Sequence, residues 1–216
     1  QGMYLSLLGI LFALVLWPLS DPLFAAMRHS PEVTRLELSY FRIRLVGYVF
    51  IGVGTAMAGF FQAINRSRIP MYAAIFGNAL NLIFNYLLIF GKFGFPRMEV
   101  GGAALATVIS TAFQGGFLSI VFFSRRFDSE YQTRTSWPFD WNRIREVFRI
   151  GLPAAMTMFF DVANWWIFIS FIVGYFGAVQ LAANAIALGF MHVCFMPAVG
   201  LNHGVAAIVG QWLGRG

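Results

Sequence analysis

Arg149–Phe176 reads RIGLPAAMTMFFDVANWWIFISFIVGYF, an apolar run interrupted by one carboxylate, Asp161, near its middle. A helix of this length and composition can cross a hydrocarbon core of about 30 Å, which takes about 20 apolar residues. An Asp at that depth costs on the order of 3 kcal/mol, so such a residue normally faces a bundle interior or a wet cavity and serves a function. Thr157, Asp161, Asn164 and Phe168 follow i, i+4, i+7 and i+11, which places hydroxyl, carboxylate and amide on one helical face. A carboxylate held there suits reversible proton binding, and the same hard oxygens suit Na⁺. The plainer alternative is an Asp satisfied by hydroxyls and amides of neighbouring helices. Trp165 and Trp166 read as packing or cavity-wall residues, or as aromatic contacts for a flat or cationic substrate.

Composition agrees with a membrane setting. The chain is 59% hydrophobic, 18% aromatic and 11% charged, with a mean hydropathy of +0.71, whereas soluble domains carry about 25% charged residues. The net charge of +6 would admit a nucleic-acid partner, but the Arg residues fall between apolar runs, as the positive-inside rule produces. No nucleic-acid partner is expected. The single cysteine, Cys194, excludes an intrachain disulfide framework and a CxxC site.

Outward from the opening stretch, the connector Ser124–Arg149 carries six Arg and four acids, with a short surface helix expected around Trp141–Phe148. Before it lie four apolar segments of spanning length: Met3–Ala26, Tyr40–Ile64, Pro70–Phe90 and Val100–Phe123. Pro18 and Pro22 predict a kink or an end in the first. A polar connector, Met27–Leu38, holds Arg28, His29, Glu32, Arg35 and Glu37. In the second, Gly47, Gly52, Gly54 and Gly59 offer small faces for close helix approach. Pro70 is placed as a first-turn residue, and Gly91–Pro96 breaks the third segment. Beyond a tight turn near Gly177, the sixth segment covers Leu181–Leu213.

Pro197 inside that sixth segment predicts a kink. His192 and His203 are too far apart along the helix, about 16 Å, to share a metal. Alternate connectors hold six and nine Lys and Arg, which puts Ser124–Arg149 in the cytoplasm. The chain opens on Gln1-Gly2 without a charged leader and stops just after an apolar run, and it reads as an excerpt of a longer polypeptide.

Asn78, Asn81 and Asn85 fall at i, i+3 and i+7 of the third segment, a stripe that lipid would not accommodate. Such amides either join helices by hydrogen bonds worth about 1 kcal/mol or line a cavity that handles a cation or a polar substrate.

The run PMYAAIFGNALNLIFNYLLIFGKFGFPRMEVGGAALATVIS, Pro70–Ser110, resembles the Asn-containing helix, Phe-Gly turn and Gly-Ala-Ala-x-Ala-Thr helix start of the multidrug and toxic compound extrusion (MATE) transporters. RIGLPAAMTMFFD, Arg149–Asp161, is similar to the start of that family's seventh helix. LAANAIALGFMHVCFMP, Leu181–Pro197, and VGQWLGRG, Val209–Gly216, are similar to its eighth. The resemblance implies an all-α polytopic membrane fold of twelve helices in two lobes, of which this chain would supply helices three to eight. Residues 1–123 would be part of the N-lobe, 124–149 a cytoplasmic inter-lobe linker and 150–216 the start of the C-lobe.

The resemblance also assigns roles. Asp161 takes the position of a C-lobe cation-site acid, with Thr157 and Asn164 as neighbours. Asn81 matches the Asn of an N-lobe polar cluster, with Asn78 beside it and Thr107 at the start of helix six. Asn85 falls where several members have an Asp, and an amide does not exchange a proton near neutral pH. Asp161 is then the one acidic coupling candidate within the segments.

The expected function is cation-coupled antiport, Na⁺ or H⁺, exporting amphipathic or cationic organic compounds from a plasma membrane, the bacterial inner membrane. The expected partners are the bilayer, a small-molecule substrate and the remaining helices, with no cofactor besides the coupling ion and no metal beyond Na⁺ at Asp161. One alternative is a flippase for lipid-linked precursors, which would need several Arg or Lys at helix centres. The other is a non-transporting membrane bundle. An enzyme is not expected, since no nucleophile, metal-ligand pair or phosphate loop appears.

Overall fold

The computed structural model describes residues 2–26, 31–135, 139–173 and 175–214. Arg28, His29 and the side chain of His203 lie outside the described residues, as does Arg215. The described residues form helices α1 (Gly2–Ala26), α2 (Pro31–Ala63), α3 (Arg68–Phe90), α4 (Glu99–Phe122), α5 (Arg125–Tyr131), α6 (Trp141–Ile167) and α7 (Ala178–Leu213). A π-helical segment, Phe168–Val173, follows α6. No strand occurs among them. Two compact units are present, Gln1–Phe139 and Asp140–Gly216.

In the first unit α4 is the hub, packed against α2 and α3, while α1 packs on α2. Small residues allow this. A Cβ added at Gly102 would lie 2.7 Å from the Leu88 backbone of α3, and one at Gly115 would lie 3.0 Å from the Phe50 carbonyl of α2. Gly47, Gly52 and Gly54 face Val108, Ser6 and Gly115 respectively, as the small-face reading expected, whereas Gly59 faces open space. Without a hydrophobic driving force in lipid, such close backbone approach is a main source of helix association. Beside these contacts, Met57, Phe61, Ala73, Leu118 and Phe127 form a buried cluster.

Helix boundaries correct the sequence reading in two places. α2 starts at Pro31, not Tyr40, because Pro at the first helical position and Glu32 in the first turn favour a helix start whatever the local hydropathy. Most of the polar connector is therefore helix. α1 runs through Pro18 and Pro22 to Ala26, the bound read from the sequence, and α7 runs through Pro197. The expected surface helix at Trp141–Phe148 is the beginning of α6, capped by Asp140, whose carboxylate accepts from the Asn142 and Arg143 amides at 2.9 and 3.3 Å. The short helix of the connector is instead α5.

The connector is tied to the end of α4. Thr133 Oγ1 donates to the Phe122 carbonyl at 2.9 Å, and Arg134 donates through Nε and Nη2 to the Phe123 carbonyl at 2.9 and 2.6 Å. These donors satisfy carbonyls that a helix end leaves without intrahelical partners. At the other end of the α3–α4 pair, Gly91 caps α3 in the left-handed region at φ 64°, where a Cβ would also meet Arg97 at 2.9 Å. Glycine is required there on both counts.

In the second unit α6 and α7 meet only at the π segment among the described residues. Gly177, at φ 100°, makes the turn that the sequence predicted. Nearly every described side chain from Gly151 to Ile167 is exposed on this unit. Five helices, α1 to α4 and α7, are long and apolar enough to cross a membrane. The expected sixth crossing differs in form: α6 spends its first turns on charged residues and stops at Ile167, and the apolar run continues as π helix.

Candidate functional site

Two of the polar groups expected from the sequence lie within apolar helices, one in each unit. In the first, α3 presents Asn81 and Asn85 one turn apart toward α4. Asn81 Nδ2 lies 3.5 Å from Thr107 Oγ1 and 3.4 Å from Ser110 Oγ, and Asn85 Nδ2 donates to Asn81 Oδ1 at 2.9 Å. The α4 hydroxyls spend their own protons backward along the helix. Thr107 Oγ1 donates to the Ala103 carbonyl and Ser110 Oγ to the Thr107 carbonyl, both at 2.9 Å. Their lone pairs are thereby left facing Asn81.

The chain of donation thus runs one way, from Asn85 to Asn81 to the two hydroxyls. At its start Asn85 Oδ1 is buried and has no hydrogen-bond partner among the described residues. An unmet buried acceptor costs about 1–3 kcal/mol, so a donor reaching Asn85 Oδ1 would be favoured.

Asn78 does not join. It is exposed, two turns before Asn85 on the same side of α3, and makes no hydrogen bond among the described residues. Ser110 takes the place expected for it. The signal was available, since Ser110 lies three residues after Thr107 and shares its face.

In the second unit, Thr157, Asp161 and Asn164 lie along one face of α6 and all three are exposed. Thr157 Oγ1 donates to the Pro153 carbonyl at 3.0 Å, within its own helix. Among the described residues Asp161 has no hydrogen bond or ion pair, so the three side chains share a face without bonding to one another. Phe168, the fourth member of the stripe, opens the π segment, and its ring meets Trp165 edge-on at 6.0 Å. Trp165 and Trp166 are 48% and 63% exposed. His192 approaches the Leu188 carbonyl with Nδ1 at 3.3 Å. Among the described residues no three His, Cys, Asp or Glu converge to hold a metal.

A third polar group escaped the sequence reading. Asp21 lies inside α1, and its Oδ2 pairs with Arg42 Nη2 of α2 at 2.6 Å. Arg42 Nε also donates to Ser20 Oγ at 3.3 Å, Ser20 Oγ donates to the Trp17 carbonyl at 2.6 Å, and the guanidinium sits 5.7 Å above the Trp17 ring. Asp161 is therefore not the one acid within the spanning segments. With α2 beginning at Pro31, Arg42 and Arg44 are also within a helix, and Arg44 Nη1 is buried with no partner among the described residues. Counted back from Ala63, about 20 residues of hydrocarbon crossing reach Arg44. Both arginines therefore sit near an interface rather than at mid-membrane.

The MatE family model matches residues 1–87 and 153–216. A probable multidrug resistance protein NorM from Agrobacterium fabrum is 31% identical over the whole chain, which covers 46% of that protein. Multidrug resistance protein MdtK from Cronobacter sakazakii is 29% identical, again over the whole chain and 48% of its own length. The chain spans about half the length of the curated relatives it matches. Two solved structures share the fold. "Crystal structure of MATE in the bent conformation" has a TM-score of 0.78 at 22% identity, over 98% of this chain and 47% of that one. An inward-facing multidrug resistance MATE family transporter has a TM-score of 0.74 at 21% identity, over 99% and 48%. An all-helical architecture, spanning-length apolar helices and a family match on both sides of the connector lead to one conclusion: this chain is part of a multi-pass membrane protein and belongs to the MatE family.

Proposed function

We propose that the full-length protein containing this chain is a secondary active transporter that exports amphipathic or cationic organic compounds by antiport against Na⁺ or H⁺. Asp161 carries the reading. It is a carboxylate on an apolar helix, with no bond to any described residue, in a family whose relatives are named for multidrug resistance. Residues 1–123 belong in this reading to an N-lobe and 150–216 to the start of a C-lobe, joined by a cytoplasmic linker in a bacterial inner membrane.

Asp161 holds the cation in one orientation of the protein and releases it in the other. The ion biases the two orientations only by its difference in affinity for them. A membrane potential adds about 2.3 kcal/mol per charge per 100 mV. Thr157 and Asn164 offer further oxygens on the same face, and Trp165 and Trp166 offer aromatic surface to a cationic substrate. The Asn81, Asn85, Thr107 and Ser110 group contributes neutral acceptors and donors in the N-lobe, with Asn85 Oδ1 ready for a donor.

Efflux by the full-length protein in vesicles, with Na⁺ and pH gradients imposed separately, tests this reading. One of the two gradients should drive transport, and dependence on neither would overturn it. The flippase alternative draws on Arg42 and Arg44, but Arg42 is already paired with Asp21 and both lie near an interface.

A further inference from the structure

At the end of the first unit where α2 leads into α3 and α4 into α5, a cavity of about 840 Å³ opens between the two connections. Arg66, Arg68 and Arg126 line it, together with Ile69, Ile120 and Val121. All three arginines are exposed, and among the described residues none of their side chains makes a hydrogen bond or a salt bridge. The acids of α5 are engaged elsewhere. Asp128 Oδ1 accepts from the Arg134 amide at 2.9 Å, and its other oxygen lies 3.9 Å from Arg134 Nε. Glu130 accepts from the Tyr131 hydroxyl, which raises the phenol above its ordinary value. Three guanidinium groups are left to share one opening.

The depth of the cavity identifies the environment. α3 begins at Arg68 and α4 ends at Phe122, and each is 23 or 24 residues long, about 35 Å at helical rise. Their ends therefore lie at the edge of a hydrocarbon core of about 30 Å. The arginines stand at headgroup depth. Just below them, Ile120 is 75% exposed.

We propose that this cavity is a binding site for the phosphate headgroup of an anionic phospholipid, with Arg66, Arg68 and Arg126 around the phosphate and one acyl chain along Ile120, Val121 and Ile69. Guanidinium suits this role, since its planar fork matches phosphate oxygens in pairs. Basic pockets between membrane helices on one face bind anionic headgroups by the same chemistry. The neighbouring aromatic cluster, in which Phe61 and Phe127 meet edge-on at 5.3 Å, holds α5 against the bundle and so keeps Arg126 opposite Arg66 and Arg68.

The test is native mass spectrometry of the full-length protein delipidated in detergent and titrated with phosphatidylglycerol, phosphatidylcholine or glycerol 3-phosphate. Phosphatidylglycerol should be retained about tenfold more tightly than phosphatidylcholine, and glycerol 3-phosphate should displace it only weakly because it lacks the acyl chain. Replacing all three arginines by Gln should remove that preference, while the Lys triple variant, which keeps the charge, should keep a reduced preference. Each single Gln variant should lower retention in part, which keeps the test decisive if the Gln triple variant does not fold. Equal retention of the two lipids, or unchanged preference in the single and triple Gln variants, would overturn the proposal. Displacement by glycerol 3-phosphate as effective as by the lipid itself would overturn the lipid assignment in favour of a soluble phosphate ligand.

Discussion

The two units solve the same problem, polar side chains in apolar helices, in opposite ways. In the first, Asn85 donates to Asn81 and Asn81 to hydroxyls of α4, and backbone carbonyls take the hydroxyl protons in turn. In the second, Asp161 stands on an exposed face with no partner among the described residues. Packing explains the contrast. α3 and α4 approach closely enough at Gly102 to leave no room for a Cβ, whereas Gly151, Gly189, Gly200, Gly204 and Gly210 of the second unit meet nothing within 4 Å. Close backbone approach brings amides within reach of hydroxyls, and without it the carboxylate of Asp161 has no partner among the described residues.

The largest effect should come from Asp161→Asn, which keeps shape and removes charge. Gradient-driven efflux by the full-length protein should fall about tenfold or more, equivalent to at least about 1.4 kcal/mol, with thermal stability unchanged. Undiminished efflux would place Asp161 among the merely structural residues. Next comes a pair of glycine substitutions. Gly102→Val should destabilise the protein by about 1–3 kcal/mol through overpacking against Leu88, measured by thermal unfolding in detergent. Gly204→Val should be neutral if its face meets lipid, and a comparable loss there would reveal that the face is covered in the full-length protein.

Ser110→Ala should cost about 1 kcal/mol, the usual worth of a hydrogen bond between membrane helices. Asn78→Ala should cost much less in the same assay, because Asn78 makes no bond to α4. An equal cost would restore Asn78 to the cluster. The smallest effect should be that of Arg42→Gln, whose exposed pair with Asp21 is worth about 0–1 kcal/mol. Its loss should shrink further as salt is raised, and a salt-independent effect would point to the Trp17 contact instead.

What could be read in advance follows from what hydropathy measures. Spans such as Pro70–Phe90 and Val100–Phe123 were legible to within two residues, because bilayer thickness and helical rise fix the length of an apolar run. Helix that leaves the membrane was not. Pro31–Ser39 continues α2 on backbone hydrogen bonds that are indifferent to polarity, while Trp141–Phe148 was legible as helix but not as the first turns of α6. The Asn stripe was legible as a face but not in its members, since only the position of α4 decides that Ser110 is near and Asn78 is not. Asp21 was missed because it lies between Ser20 and Pro22 near the end of a long apolar run, where its cross-helix partner Arg42 is 21 residues away in sequence.

The π segment Phe168–Val173 has a further consequence for how this helix presents itself. Its wider turn takes more residues than an α turn, so it introduces a phase slip between the chain before it and the chain after it. The faces defined by Thr157, Asp161 and Asn164 cannot be carried past Ile167 by adding multiples of 100°, and Phe168 is the last residue that the stripe reaches. A segment able to relax from π to α geometry would rotate everything beyond it relative to Asp161.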